Sequence, residues 1–357
     1  MYKISQIKVF IVFLIFMTIF LKNSYIYHFD ISKINAKDKK FECLQFDTLI
    51  AFPDKAFNNY HDKKETPIES KLTTYEFKKI LEELYKNNYL IINPEDIFKL
   101  DHNQNLHLNL TNLPSNKTPI ILTFDNVTYS SNYKNIGEID KIIIDRYNNI
   151  ATYTTKKSIQ DRIQYDNEFV VILENFISTH PDFSHNNARG IIFLTGNNGI
   201  LGYNTCKKNA DYKNESRKVS EVIFKLKSLG WKFGCNNYTY EIDTNIDNII
   251  FAKNISLWNN EVSPLIGDTK FFAYPYGICD KNNSFKTNLL LDNNFRFFFT
   301  SDQNNQYSIS KNSCYISRTH INTNIFLNNK TKTNHLFNKE VIYDYINRQS
   351  NFDKITT

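Results

Sequence analysis

The chain lacks any CxxC pair although it holds five cysteines. Cys43, Cys206, Cys235, Cys279 and Cys314 follow no zinc-ribbon spacing, which excludes that class and a dense disulfide framework. Their odd number leaves at least one thiol over, with a single bridge open to a protein outside the cytoplasm. Blocks of like charge are also missing: a formal charge of +6 is spread over a chain with 22% charged residues. No Lys/Arg run is long enough to track a phosphate backbone, which argues against a nucleic-acid partner. His61, His102, His107, His180 and His185 have no partner at i+4, so they form no helix-borne metal pair. There is no tandem repeat, and no small-x-small cleavage site follows the one long apolar run.

That run extends from Val9 to Leu21, preceded by Lys3 and Lys8 and closed by Lys22. Thirteen helical residues rise only about 20 Å, short of the roughly 30 Å hydrocarbon core. Residues 1–22 therefore read as a signal peptide or an N-terminal membrane anchor, and the flanking lysines keep that end inside. The expectation is an extracytoplasmic protein, membrane-anchored or secreted, with a polar linker at 23–40, a main domain at 41–325 and a polar, partly helical extension at 326–357. At 357 residues the chain is long enough for one barrel-sized domain.

Within the main domain, strands alternate with helices. Cys43–Ile50 reads as a first strand, and Thr73-x-x-Glu76 is a capping box before Phe77, Ile80, Leu81 and Leu84 at helical spacing. Strand patterns follow at 89–92, 119–124, 190–194, 270–274 and 295–300, with a last one near Tyr315 and Ile316. Helices are expected at 168–177 and 219–229. The strands are near-continuously apolar, which requires both faces of a parallel sheet to be covered. The segments 141–145 and 150–154, flanking Tyr147-Asn148-Asn149, form an inserted β-hairpin. Seven or eight such units give a parallel (β/α) barrel, where chemistry sits just past the strands' carboxyl ends.

Those ends read Thr123-Phe124-Asp125-Asn126, Thr195-Gly196, Gly234-Cys235-Asn236-Asn237-Tyr238-Thr239-Tyr240 and Tyr274-Pro275-Tyr276-Gly277. In this order and spacing the chain resembles the polysaccharide deacetylases with a NodB-type domain, carbohydrate esterase family 4, over about residues 41–325. It is most similar to exported clostridial members, through the segments Tyr165–Ser184, Thr195–Thr205 and Trp258–Gly267. The resemblance implies a NodB-like barrel and hydrolysis of N-acetyl bonds in an N-acetylated glycan or peptidoglycan-like polymer. It also implies a divalent metal such as zinc, held by one Asp and two His, with a second Asp as base and a late His as acid.

This chain keeps only part of that set. Asp125 falls on the base position, and His320, in Ser317-Arg318-Thr319-His320-Ile321, is the candidate acid. Asn126 stands where the metal-binding Asp belongs, and Asn236 and Tyr240 stand where the two His belong. Neutral amides and a phenol with an ordinary pKa of about 10 are poor zinc ligands, so no metal is assigned. Ala273 takes the place of an arginine that often orients the base, and Asp47 stands where related first strands carry a His. Tyr274, Pro275, Tyr276, Gly277 and Asp47 are the candidate substrate-binding residues, the tyrosines offering faces to sugar rings. Three readings follow: a de-N-acetylase with lost or much reduced metal-dependent activity, a non-catalytic glycan-binding or scaffold barrel, and a glycoside hydrolase using Asp47 and Asp125 as its two carboxylates.

Overall fold

The computed structural model describes residues 41–58, 70–129, 137–155, 158–281, 283–301, 306–327 and 333–349. The expected export segment and linker at 1–40 lie outside them. Among the described residues no helix is long and apolar enough to cross a membrane.

The main strands are β1 (Glu42–Phe46), β2 (Tyr89–Ile91), β3 (Thr118–Phe124), β4 (Lys141–Ile144), β5 (Ile150–Tyr153), β6 (Ile191–Leu194), β7 (Lys232–Cys235), β8 (Phe271–Ala273), β9 (Phe297–Thr300), β10 (Ser313–Ser317) and β11 (Thr319–His320). The helices between them are α1 (Thr74–Lys86), α2 (Phe169–Thr179), α3 (Tyr212–Ser228), α4 (Asn248–Glu261) and α5 (Ser284–Asp292). Parallel pairings run β1–β3–β6–β7–β8–β9–β10, and β2 lies beside the first half of β3. Past Arg318 the run from β10 continues as β11, which pairs in parallel with β1 through Leu44↔Thr319 and Gln45↔His320. One strand, broken at Arg318, thus brings the two edges of the curled sheet together, as the expected barrel requires.

The strands' alternation sorts their side chains into two apolar clusters. Cys43, Ile121, Ile191, Phe193, Phe271, Ala273, Phe297, Phe299, Cys314 and Ile316 share one cluster, and Leu44, Leu122, Ile192, Leu194, Phe272 and Phe298 belong to another with the helices. The first set fills the inside of the curl and the second lies between sheet and helices. This explains the near-continuous apolar strands.

The inserted hairpin forms as expected, with Ile144↔Ile150 closing β4 and β5 and a third short strand, Ile163–Gln164, added to β5. Its turn is built by Asp145 accepting the backbone N–H groups of Tyr147 and Asn149 at 2.8 Å each. Helix α3 starts seven residues before the expected Val219. Its first two turns are polar and solvated, so they carry no apolar period, whereas Val219, Val222, Ile223 and Leu226 are buried. After it, Gly230 has φ +103°, and an added Cβ would meet the Asn187 carbonyl oxygen at 1.9 Å; only glycine closes this helix.

The capping box of α1 is present, Thr73 Oγ1 accepting from the Glu76 N–H and Glu76 accepting from the Thr73 N–H. The C-terminal segment locks it a second time. Arg348 donates Nε to Glu76 Oε1 and Nη2 to Glu76 Oε2, both at 2.7 Å, and Thr73 Oγ1 donates to Asp344 Oδ2 at 3.0 Å. Residues 333–349 are therefore packed along α1, with Asn338 N–H also reaching Glu83 Oε2 at the helix's other end.

Candidate functional site

The loops after β1, β3, β7, β8 and β10 converge at the carboxyl end of the sheet. Asp125 follows β3 and points into it. Its Oδ1 accepts from Arg318 Nη1 at 2.6 Å and its Oδ2 from Arg318 Nη2 at 2.9 Å, and neither side chain has any exposed surface. Arg318 breaks the last strand at the one position where its side chain continues the inward series after Cys314 and Ile316. There its guanidinium lies 5.6 Å from the Phe193 ring centre and 5.9 Å from that of Phe299. Burial pushes the Asp125 carboxyl above its ordinary value and the Arg318 charge holds that rise in check. Arg318 itself, although burial disfavours its charge, is raised by Asp125 and stays a cation.

Asp125 thus meets an arginine at position 318, while position 273 holds alanine. Sequence reasoning quoted Arg318 beside His320 without assigning it a role. Its alternation with Cys314 and Ile316 was the available signal, but nothing local tells that it meets a carboxylate 193 residues away.

Of the three positions expected to match a metal site, Asn236 is tied up in internal hydrogen bonds. Asn236 is fully buried; its Oδ1 accepts from the Asn126 N–H at 3.3 Å and its Nδ2 donates to the Ala273 carbonyl at 2.9 Å. It ties β3, β7 and β8 together, its amide spent on backbone groups. Burial, then the charges of Asp125 and Asp47, push the Tyr240 phenol far above its ordinary value, so it stays protonated. Among the described residues no three His, Cys, Asp or Glu side chains come together as a metal-binding group. A divalent ion does not fit these residues: one amide is spent on backbone, the phenol keeps its proton, and both Asp125 oxygens are taken by Arg318.

What the mouth presents outward is different. Tyr276 is 57% exposed, and its ring centre lies 5.1 Å from that of Tyr240 at an interplanar angle of 48°. Both tyrosines have left-handed backbones, φ 61° at Tyr240 and 57° at Tyr276, as do Asn126, Tyr129 and Asn237 in neighbouring loops. Bulky side chains in that region cost about 1–2 kcal/mol each, and such strain gathers where a site holds side chains in place. Of the expected Tyr274–Gly277 segment only Tyr276 faces out. Tyr274 is buried against Phe272 at 5.0 Å between ring centres, and Pro275 is buried as well. A Cβ on Gly277 would sit 2.5 Å from Ser301 Cβ. These three residues shape the turn beneath Tyr276.

His320 lies within β11, not after the last strand as expected, and its Nε2 meets Asp47 Oδ2 at 2.8 Å. The pair is half open, the side chains 40% and 26% exposed. Burial opposes the charge on His320, yet the hydrogen bond and charge of Asp47 raise its pKa above the ordinary value. Burial likewise works against Asp47, but His320, Lys71 and Arg318 hold its carboxyl below the usual range. Asp47 thus pairs with the candidate acid. All five cysteines are free thiols, so neither Cys235 nor Cys279 enters a bridge.

No protein-family profile matches the chain, and no curated protein does. Among solved structures it is similar to a Streptococcus pyogenes deacetylase, PplD, in complex with acetate, at 12% identity and TM-score 0.42, covering 81% of this chain and 93% of that one. A Bacillus cereus polysaccharide deacetylase aligns at 12% identity and TM-score 0.44, over 85% of this chain and 69% of the other. A de-N-acetylase from Aggregatibacter actinomycetemcomitans aligns at 9% identity and TM-score 0.44, over 83% and 99%.

Proposed function

We propose that the chain is an extracytoplasmic, deacetylase-like barrel that binds an N-acetylated glycan at its mouth and has lost the metal-dependent hydrolysis. The observation that carries the loss is the sealed base: Asp125 has no exposed surface and both its oxygens are held by Arg318. A carboxylate so placed has no path to a water or a substrate amide. The same burial weighs against a two-carboxylate glycosidase, which needs both acids at the sugar. Binding is supported by the strained Tyr240–Tyr276 pair, of which Tyr276 faces outward, together with the polar Asp47–His320 pair, the mixture of aromatic face and hydrogen-bonding groups that suits a sugar ring.

The reading is tested by calorimetric titration of the protein with N-acetylglucosamine oligomers, with and without a chelator. Binding that a chelator leaves unchanged and that Tyr276→Ala weakens about tenfold or more is the expected result. No binding to any acetylated oligomer, in protein whose fold is intact, overturns it.

A further inference from the structure

Beneath the mouth lies a buried cluster that the site above does not use. Glu168, fully buried, caps α2 by accepting the Phe169 N–H at 2.9 Å and also accepts the Leu49 N–H at 3.2 Å. One residue earlier, Thr48 Oγ1 donates to Glu138 Oε1 at 2.8 Å and accepts from Lys71 Nζ at 2.5 Å. Lys71 Nζ is also ion-paired with Glu138. The two carboxylates therefore grip the residues directly after Asp47, Glu168 holding Leu49 and Glu138 holding Thr48, and the Lys71 ammonium is bonded to Glu138 and Thr48. The Lys71 charge acts on Asp47 as well.

We propose that Glu168 is a positioning residue for the Asp47–His320 pair, coupling loss of its proton to the geometry of the mouth through Leu49, Thr48, Glu138 and Lys71. The inference rests on the mouth being the working site, although its test does not need a ligand. The groups that face Glu168 are Glu138, Lys71 and the Tyr129 phenol. Burial first, then Glu138, raise Glu168 to about 8, against the backbone N–H groups and Lys71. Above that pH Glu168 adds a second negative charge to the field at Lys71, so the hold of Lys71 on Thr48 and its field at Asp47 change together.

The test is nuclear magnetic resonance of the full-length protein with 15N-labelled histidine, following the His320 imidazole against pH. Wild type is expected to show two inflections, one from the ring itself and one from Glu168. Glu168→Gln, whose amide oxygen still accepts the capping N–H groups, should keep the first and lose the second. Glu138→Gln should move the second to lower pH by about one unit or more, because the like charge is removed. A single inflection in wild type, or a second one that survives Glu168→Gln, overturns the proposal. Glycan titration of the same samples separates the two readings: oligomers that fail to bind refute the proposed function and leave the coupling measurable.

Discussion

Arg318 and Asp125 meet through two hydrogen bonds of 2.6 and 2.9 Å with no exposed surface on either side chain. Because Arg318 also interrupts the strand that joins β9 to β1, the ion pair stands at the seam of the sheet. Removing one partner leaves an uncompensated buried charge, a loss of about 3–5 kcal/mol. Arg318→Met should therefore destabilise by that amount in urea denaturation, and Arg318→Met with Asp125→Leu should recover most of it. A single variant as stable as wild type would show that the pair does not hold the seam.

A second buried ion pair holds the C-terminal segment, where Arg348 pairs with the fully buried Glu76. Arg348→Ala strands that carboxylate beneath the C-terminal segment and should cost about 3 kcal/mol or more by the same argument. Thermal melts are the check. A change within about 0.5 kcal/mol, the usual range of a surface substitution, would contradict the packing described for residues 333–349.

Glu168 gives stability a pH dependence whose sign can be worked out. Its folded pKa, about 8, lies above the ordinary 4.5, so between those values the folded state holds a proton that the unfolded chain has released. Stability falls as pH rises wherever the folded state binds more protons. The loss accumulates across that window, reaches at most about 5 kcal/mol, and stops growing above it. Glu168→Gln should flatten the profile there; a wild-type profile level across the window would count against this assignment.

His320 contributes with the same sign. Its pKa is raised by Asp47 above the ordinary 6.5, so its contribution is complete below that value and is lost as pH climbs through the folded pKa. His320→Gln should remove this step and leave the one from Glu168. A step that persists in His320→Gln belongs to another group.

At Tyr276 stability and binding should part. Its φ of 57° suits asparagine better than tyrosine, so Tyr276→Asn should leave the melting temperature unchanged or slightly higher while weakening oligomer binding about tenfold. Equal loss of both would make Tyr276 a packing residue.

Much of the fold was legible in the chain because its signals are local. The Thr73–Glu76 capping box, the near-continuous apolar strands and the hairpin around Asn148 each depend on neighbours a few positions apart. The early start of α3 was hidden because solvated turns carry no period. At the mouth, spacing brought out Asp125, Asn236, Tyr240 and Tyr276, but burial decides what each one does and burial is not written locally. Asn236 and Tyr274 turned inward, and the partner of Asp125 came from the far end of the chain. The Lys71–Glu138–Glu168 cluster was invisible for the same reason, its members joined only by three loops meeting under β1.

The most direct measurement is acetate release from N-acetylglucosamine oligomers with added zinc or cobalt, for wild type and for Asn126→Asp with Asn236→His and Tyr240→His. Wild type should bind the oligomers and release no acetate, and the triple variant should gain metal binding. Acetate released by wild type in the presence of metal, and abolished by Asp125→Ala, would contradict the account, because the carboxylate sealed by Arg318 would then be the working base.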